Sequence, residues 1–350
     1  MTDDPQPLSG DGMHTRRQLL KIGGTVGLVG TLGFGYLYWN EGESSTTATS
    51  LPEGTPAGME FVATGSAGEL LSDQAVHTAF DDELDAQAVT TPADLESLLE
   101  SVEGTTGIDP RTAGQMVGFG ATGGTDGNRG GFLVESNTDT ETVRSSLAAA
   151  ELLRDESEYG SYDLYTVGNN EFARTLVLCD LGGGEFAVGA RHEIEGIIDV
   201  RQGTGPEAGG AIDEAVGSAP AGPLQFGFLL PEDLFERFGL GSAGSQIVDL
   251  RNLAYGYGSL NGGVLSVTIR AASSSAAEDL GSQLNAITTL LGAGGGENIG
   301  TLPSAIREQL LDVLGTVEVE RNGRLVQLRV PDGHRLVAIV VVYLLSRSDF

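Results

Sequence analysis

The chain has 350 residues, with 49 Asp and Glu against 19 Lys and Arg and a formal charge of −30. Eighteen of the basic residues are arginine, the one lysine is Lys21, and there are 53 Gly, 4 His and 1 Cys. These numbers exclude a disulfide framework and a thiolate metal site. A surface so acidic repels phosphate backbones, so no nucleic-acid partner is expected.

Residues 1–40 hold Asp3, Asp4 and Asp11 against Arg16, Arg17 and Lys21, so the net charge falls on residues 41–350. That part holds sixteen arginines and no lysine. Its acids are spread along the chain, which excludes an acidic tail. A hydrophobic share of 40% is enough for packed cores. Such a surface repels itself in dilute buffer. In molar salt the Debye length falls to about 3 Å and the repulsion is screened. Abundant carboxylates, arginine for the remaining cations and almost no lysine form the composition of extreme halophiles. A calcium-binding protein is the competing reading, but no D-x-[DN]-x-[DN]-G loop is present. The densest acids, Asp81-Asp82-Glu83 with Asp85, read as a solvated loop or helix start.

In chain order, residues 1–21 form a basic n-region ending Thr15-Arg16-Arg17-Gln-Leu-Leu-Lys21, and Ile22–Trp39 is an uncharged stretch of eighteen residues with six glycines. Arg16, Arg17 and Lys21 in this order, ahead of a glycine-rich apolar core, predict a twin-arginine export signal; an ordinary transmembrane anchor is the rival reading. Eighteen helical residues span about 27 Å, close to the roughly 30 Å hydrocarbon core. Tyr36, Tyr38 and Trp39 stand where an aromatic belt would lie, and the basic residues mark the cytoplasmic side. No A-x-A site follows, so residues 22–39 are expected to stay as an anchor helix, with cleavage and secretion as the alternative. Residues 40–58 lack apolar periodicity and read as a flexible stalk. No N-x-[ST] sequon occurs.

The rest reads as two halves, 59–215 and 216–350, with a similar order of elements. Met59–Ala63 is a short strand, and Thr91-Pro-Ala-Asp94 starts a helix with Leu95, Leu98, Leu99 and Val102 on one face. Gln115–Gly120 and Gly131–Glu135 form a hairpin, followed by a helix bearing Val143, Leu147 and Ala150. Tyr162–Val167, Thr175–Asp180 and Glu185–Ala190 are strands, and Ile194, Ile197 and Ile198 face inward from the next helix. Gly203–Gly222 is a weakly helical connection.

The second half opens with the strand Leu224-Gln-Phe-Gly-Phe-Leu-Leu and a helix led by Pro231. The hairpin Leu253–Tyr257 and Val264–Arg270 precedes a helix with a capping box, Ser275 and Glu278, and the stripe Leu280, Leu284, Ile287 and Leu291. Pro303 starts a helix with Ile306, Leu310, Leu311 and Leu314. Thr316–Arg321 and Arg324–Val330 flank Asn322-Gly323, a hairpin signal. Leu336–Leu345 is too short to span a bilayer and reads as a buried terminal helix or strand. Hairpins and helices without βαβ spacing predict an α+β fold of duplicated strand-helix-hairpin-helix units with mixed or antiparallel sheets, preceded by one N-terminal apolar helix.

Glu185-Phe-Ala-Val-Gly-Ala, the helix ending Ile198-Asp199-Val-Arg201-Gln-Gly, and Leu224-Gln-Phe-Gly-Phe-Leu-Leu-Pro231 resemble a group of exported haloarchaeal proteins of unknown function. The resemblance extends over most of residues 59–330. It implies an exported α+β protein and carries no catalytic or binding residues.

Chemistry is sparse. Gly118-Phe-Gly120-Ala-Thr-Gly123 fits G-x-G-x-x-G, but a second strand follows where a dinucleotide site needs a helix, so a hairpin turn is expected. Cys179 reads as a buried apolar residue. His14, His77, His192 and His334 are far apart and show no zinc spacing. His192-Glu193 with Glu195 reads as an exposed helix start. Tyr159, Tyr162 and Tyr165, and Tyr255 with Tyr257, suit a half-buried sheet face, or a carbohydrate or partner surface. No catalytic, cofactor or metal residue is assigned, and no cofactor is expected. The expectation is a non-enzymatic envelope protein with a binding or interaction role. It would hang from the cell membrane by its N-terminal helix with the C-terminal part outside, or be secreted. Its partners would be the membrane, the twin-arginine translocase during export and an envelope protein. A small-ligand-binding protein with a cavity between the halves, and a hydrolase using an unrecognised acid pair or Cys179, are the alternatives.

Overall fold

The computed structural model describes residues 51–66, 68, 71, 74–86, 94–121, 129–168, 176–230, 250–261, 263–292 and 304–346. Arg16, Arg17, Lys21, the apolar stretch 22–39, residues 40–50 and the Pro231-led helix lie outside them. The described residues form twelve strands: β1 (Phe61–Ser66), β2 (Gln115–Ala121), β3 (Arg129–Glu135), β4 (Leu153–Tyr159), β5 (Tyr162–Val167), β6 (Leu176–Gly182), β7 (Glu185–Gly189), β8 (Leu224–Leu229), β9 (Leu253–Asn261), β10 (Val264–Ala271), β11 (Glu318–Asn322) and β12 (Leu325–Val330). The eight helices are α1 (Gln74–Ala86), α2 (Leu95–Thr106), α3 (Thr140–Ala149), α4 (Arg191–Arg201), α5 (Ala211–Ser218), α6 (Ser274–Gly292), α7 (Ser304–Leu314) and α8 (Gly333–Ser346).

All twelve strands join one sheet in the order β11-β12-β10-β9-β8-β1-β2-β3-β7-β6-β5-β4, and every pairing is antiparallel. The fold is therefore α+β, with the mixed-sheet alternative absent from the described strands. The halves meet where β1 pairs with β8, Ala63 opposite Phe226. Outward from that seam the neighbours run β1-β2-β3-β7-β6 on one side and β8-β9-β10-β12-β11 on the other. The expected boundary at 215/216 falls within α5, which packs on β8, β9 and β1.

The pleat sends alternate residues to opposite faces. One face carries Ala63, Phe132, Phe226, Leu260, Leu265 and Val330 and packs against α1, α2, α7 and α8. Val134, Leu178 and Phe186 extend that face to α3, and Ile269 and Val326 extend it to α6. The other face carries Val62, Val117, Phe119, Leu133, Leu164 and Ala187 beneath α4 and α5. Ile194, Ile197 and Ile198 of α4 are fully buried, each worth roughly 1.5–3 kcal/mol relative to exposure.

Four local expectations are corrected. β4 was not expected, because its sequence Leu-Arg-Asp-Glu-Ser-Glu-Tyr has no apolar alternation. It is an edge strand, and charged side chains are how edges resist pairing with another chain. The cap of α6 is Ser273 rather than Ser275: the Ala276 N–H donates to Ser273 Oγ at 3.1 Å. The β11–β12 turn is centred on Gly323 and Arg324, because Asn322 already pairs with Leu325 and only Gly323 takes positive φ, +61°. The stalk ends earlier than residue 58. Ala57 N donates to Pro206 O at 3.0 Å, Ala208 N donates to Thr55 O at 2.9 Å, and Thr55 is fully buried. Residues 51–58 are thus laced to the α4–α5 connection through backbone groups, a pattern that side-chain periodicity does not reveal.

Candidate functional site

The sequence candidates come apart on the sheet. Cys179 is on β6 with 0% exposure, and burial with the nearby Asp180 charge pushes its thiol up to about 12. A nucleophile needs an accessible thiolate, so this cysteine is a packing residue. Gly118 and Gly120 lie within β2, which pairs with the antiparallel β3, so the described part of this glycine run is strand. Tyr165 faces the α3 side while Tyr159 and Tyr162 face the α4 side, because the pleat separates them. Tyr159 OH donates to Asp199 Oδ1 at 3.1 Å, which raises its pKa. Tyr255 is 3% exposed and its hydroxyl accepts from Arg270 Nη1 at 3.1 Å, with the guanidinium 5.6 Å from the ring centre. His192 is exposed at the start of α4, but Glu193 beside it is buried rather than solvated. Among the described residues no group of three or more His, Cys, Asp or Glu is placed to hold a metal ion.

The acid run is also redistributed. Asp81, Asp82, Glu83 and Asp85 sit in the second half of α1 and not at a loop or helix start. A helix turns about 100° per residue, so adjacent acids take different faces. Asp81 Oδ1 accepts from the Leu95 N–H at 2.9 Å, tying α1 to the start of α2. Glu83 is 3% exposed, and Asp82 is exposed.

One face of α1, built from Gln74, Ala75, Thr78, Ala79, Asp82 and Glu83, meets His334 and Arg335 in the first turn of α8. Spacings of three, four and seven residues keep these α1 side chains on one stripe. Together they line an open surface depression of about 430 Å³. Arg335 fixes its corner. Its Nη1 donates to Asp312 Oδ2 of α7 at 2.7 Å, and its Nε stands 3.8 Å from Glu83 Oε1. Thr78 Oγ1 donates to Gln74 O at 2.9 Å, so that hydroxyl is spent within α1. The Gln74 amide and the Asp82 carboxylate make no hydrogen bond or ion pair among the described residues. His334 Nδ1 is buried and has no hydrogen-bond partner. The depression thus sets the exposed Gln74 and Asp82 beside Ala75 and Ala79, with His334 Nδ1 shut off from solvent. Sequence reading missed it, because α1 and α8 are far apart in the chain and neither stretch carries a motif.

The sequence matches no family model and no curated protein. Among solved structures it is similar to crystal forms III, I and IV of the treponemal protein TP0453. Each match has 7% identity, with TM-scores of 0.42, 0.40 and 0.41. They cover 85%, 85% and 84% of this chain and 100%, 99% and 98% of the other. A likeness at this level transfers neither a site nor an activity. Among the described residues no helix is long and apolar enough to cross a membrane.

Proposed function

We propose that this chain is an exported envelope protein of a salt-adapted cell, tethered by residues 22–39 or released after cleavage, that acts by binding a partner rather than by catalysis. The observation that carries this reading is the division of charge along the chain. A Thr15–Lys21 basic segment and eighteen uncharged residues precede a body with sixteen arginines, no lysine and nearly three times as many carboxylates. The structure of the body supports it. Arg111 illustrates how scarce cations are shared: it contacts Glu96, Glu103 at 2.6 Å and Asp109 at 2.7 Å. The lacing of 51–58 leaves residues 40–50 as tether, a length that spans at most about 40 Å. A tethered body therefore stays close to the membrane surface. We read the repeated order of neighbours across the β1–β8 seam as an internal duplication of one unit. The likeness to exported haloarchaeal proteins points the same way. A small-ligand-binding role is the second reading, favoured by the α1–α8 pocket.

The test is cross-linking on intact envelopes in molar salt, with a C-terminally tagged protein and mass spectrometry of the captured species. A reproducible protein partner, with Ile22–Trp39 still attached, is the expected result. Absence of any partner counts against the interaction role and leaves the ligand-binding reading. Exchanging Arg16 and Arg17 for lysine is expected to stop export; normal surface appearance of that variant would refute the twin-arginine assignment.

A further inference from the structure

We propose that residues 51–58 are a releasable strap, a joint that lengthens the N-terminal tether under tension before the load reaches the sheet. The proposal rests on the reading that residues 22–39 anchor the chain. The load would enter at Leu51 and pass along the strap into β1, the strand that pairs with β8 and joins the halves. Three hydrogen bonds hold the strap to the body. Leu51 N donates to Asp213 Oδ1 at 3.5 Å, Ala208 N donates to Thr55 O at 2.9 Å, and Ala57 N donates to Pro206 O at 3.0 Å. The first is long, and the other two flank a single antiparallel bridge, Pro56 opposite Glu207. Thr55 is fully buried, but its hydroxyl donates to Pro52 O at 2.8 Å, within the strap. Its side chain therefore adds no hydrogen bond to the body.

The strap and the strand after it resist a pull differently. The strap's bonds are met one after another from Leu51, so each carries the load in turn. β1 pairs six residues with β2 and five with β8, so tension entering at Phe61 is shared across two ladders. Few bonds and a short pairing mark a segment that opens well before the whole domain unfolds. Gly58, between strap and strand, is exposed, holds φ +80° and has nothing within 4 Å of where a Cβ would stand. It lets the strap swing out without moving the body. Fully extended, residues 51–58 span at most about 28 Å, so the reach of the tether rises from about 40 Å to about 68 Å at most. The seat for closure is defined: Gly54 lies on the Arg201 stem and Pro56 on Gly196. A body held by a partner could then follow it away from the membrane with no load on the β1–β8 seam.

The experiment is pulling of the full-length chain in an optical trap, in detergent micelles at molar KCl, by tags at its two ends. A reversible first step of at most about 28 Å is expected, at a lower force than unfolding of the sheet. The same measurement is made on Pro56→Cys combined with Glu207→Cys. These two positions form a non-hydrogen-bonded antiparallel pair, a geometry with Cα atoms about 4.5 Å apart and within disulfide reach. Cys179 is buried on β6 and takes no part. Closing the disulfide is expected to remove the first step, and reducing it in the same molecules to restore the step. Opening of strap and sheet in one step overturns the proposal, as does a first step that survives the closed disulfide. Recovery of the mature chain from envelopes without residues 22–39 also overturns it, because no tether would then load the strap. Capture of an envelope partner by a chain that shows no separate step removes this inference and leaves the proposed function standing.

Discussion

Two identical substitutions, Gly258→Ala on β9 and Gly281→Ala on α6, are expected to change stability in opposite directions. At Gly258 a Cβ would stand 2.5 Å from Phe226 Cζ and closer still to the backbone oxygen of Ser266. The ring has some freedom, although it lies within the stack Phe61–Phe226–Phe228, with centroids 6.4 and 6.3 Å apart. The Ser266 oxygen has none, because β10 is hydrogen-bonded to β9 on one side and β12 on the other. Overpacking typically costs 1–3 kcal/mol, and a backbone clash belongs at the upper end, so about 3 kcal/mol is expected. That is a factor of roughly 150 in the folding equilibrium. At about 2–4 °C per kcal/mol for a chain of this size, Tm should fall by about 6–12 °C. At Gly281, inside α6, nothing lies within 4 Å of the added methyl. Alanine there removes backbone freedom from the unfolded chain and should add about 0.5–1 kcal/mol. Thermal unfolding of both variants in molar KCl, followed by circular dichroism, measures the contrast. A Gly258→Ala protein within about 0.5 kcal/mol of the parent would refute the close approach of β9, Phe226 and β10. Adding Phe226→Leu to Gly258→Ala should recover only part of the loss, since the Ser266 oxygen remains.

Three further outcomes are expected. Glu151 holds φ +58° just after α3, where the Leu152 N–H donates to Leu147 O at 2.9 Å, so Glu151→Gly should stabilise the protein by about 1 kcal/mol in a denaturant titration. Asp94 and Asp139 cap α2 and α3 by accepting from the Ser97 and Thr142 N–H groups at 2.7 and 2.9 Å; the Ser97 hydroxyl and N–H hold the Asp94 carboxylate below its ordinary value, and the Thr142 N–H and hydroxyl do the same for Asp139. A depressed folded-state pKa contributes stability that is complete above the unfolded value near 3.9 and is lost as pH falls through the folded value. Asp94→Asn with Asp139→Asn keeps neutral caps and should flatten the fall of Tm below about pH 4; an unchanged acid limb would show the caps do not titrate this way. Arg111→Gln leaves Glu96, Glu103 and Asp109 facing one another, so its loss of Tm should be larger in dilute buffer than in molar KCl, and equal losses would refute the electrostatic account.

The residues reported their own neighbourhoods well wherever one face of an element is buried. The stripes Leu95–Leu98–Leu99–Val102 and Ile194–Ile197–Ile198 are core, and the strand pairs β2–β3 and β9–β10 stand where alternation placed them, whereas α2 starts later than the Thr91 signal suggested, with Asp94 as its cap. Composition alone set the polarity of the surface and the scarcity of cations on it. Elements with no apolar alternation, or held by neighbours distant in the chain, were not legible. β4 is charged, lacks apolar alternation and joins the sheet at its edge beside β5, and residues 51–58 are held by backbone bonds to Pro206 and Ala208. The long-range choices lay beyond any local pattern. Alternation says that β1 has two faces, but not that it pairs with β8 and joins both halves into one sheet. The same holds for the pocket. Asp82 is one of many surface acids and His334 one of four histidines, and only the packing of α1 against α8 brings them together. Side-chain periodicity records which face of an element avoids water, whereas partner and register are decided by contacts between segments whose separation in the chain leaves no periodic trace.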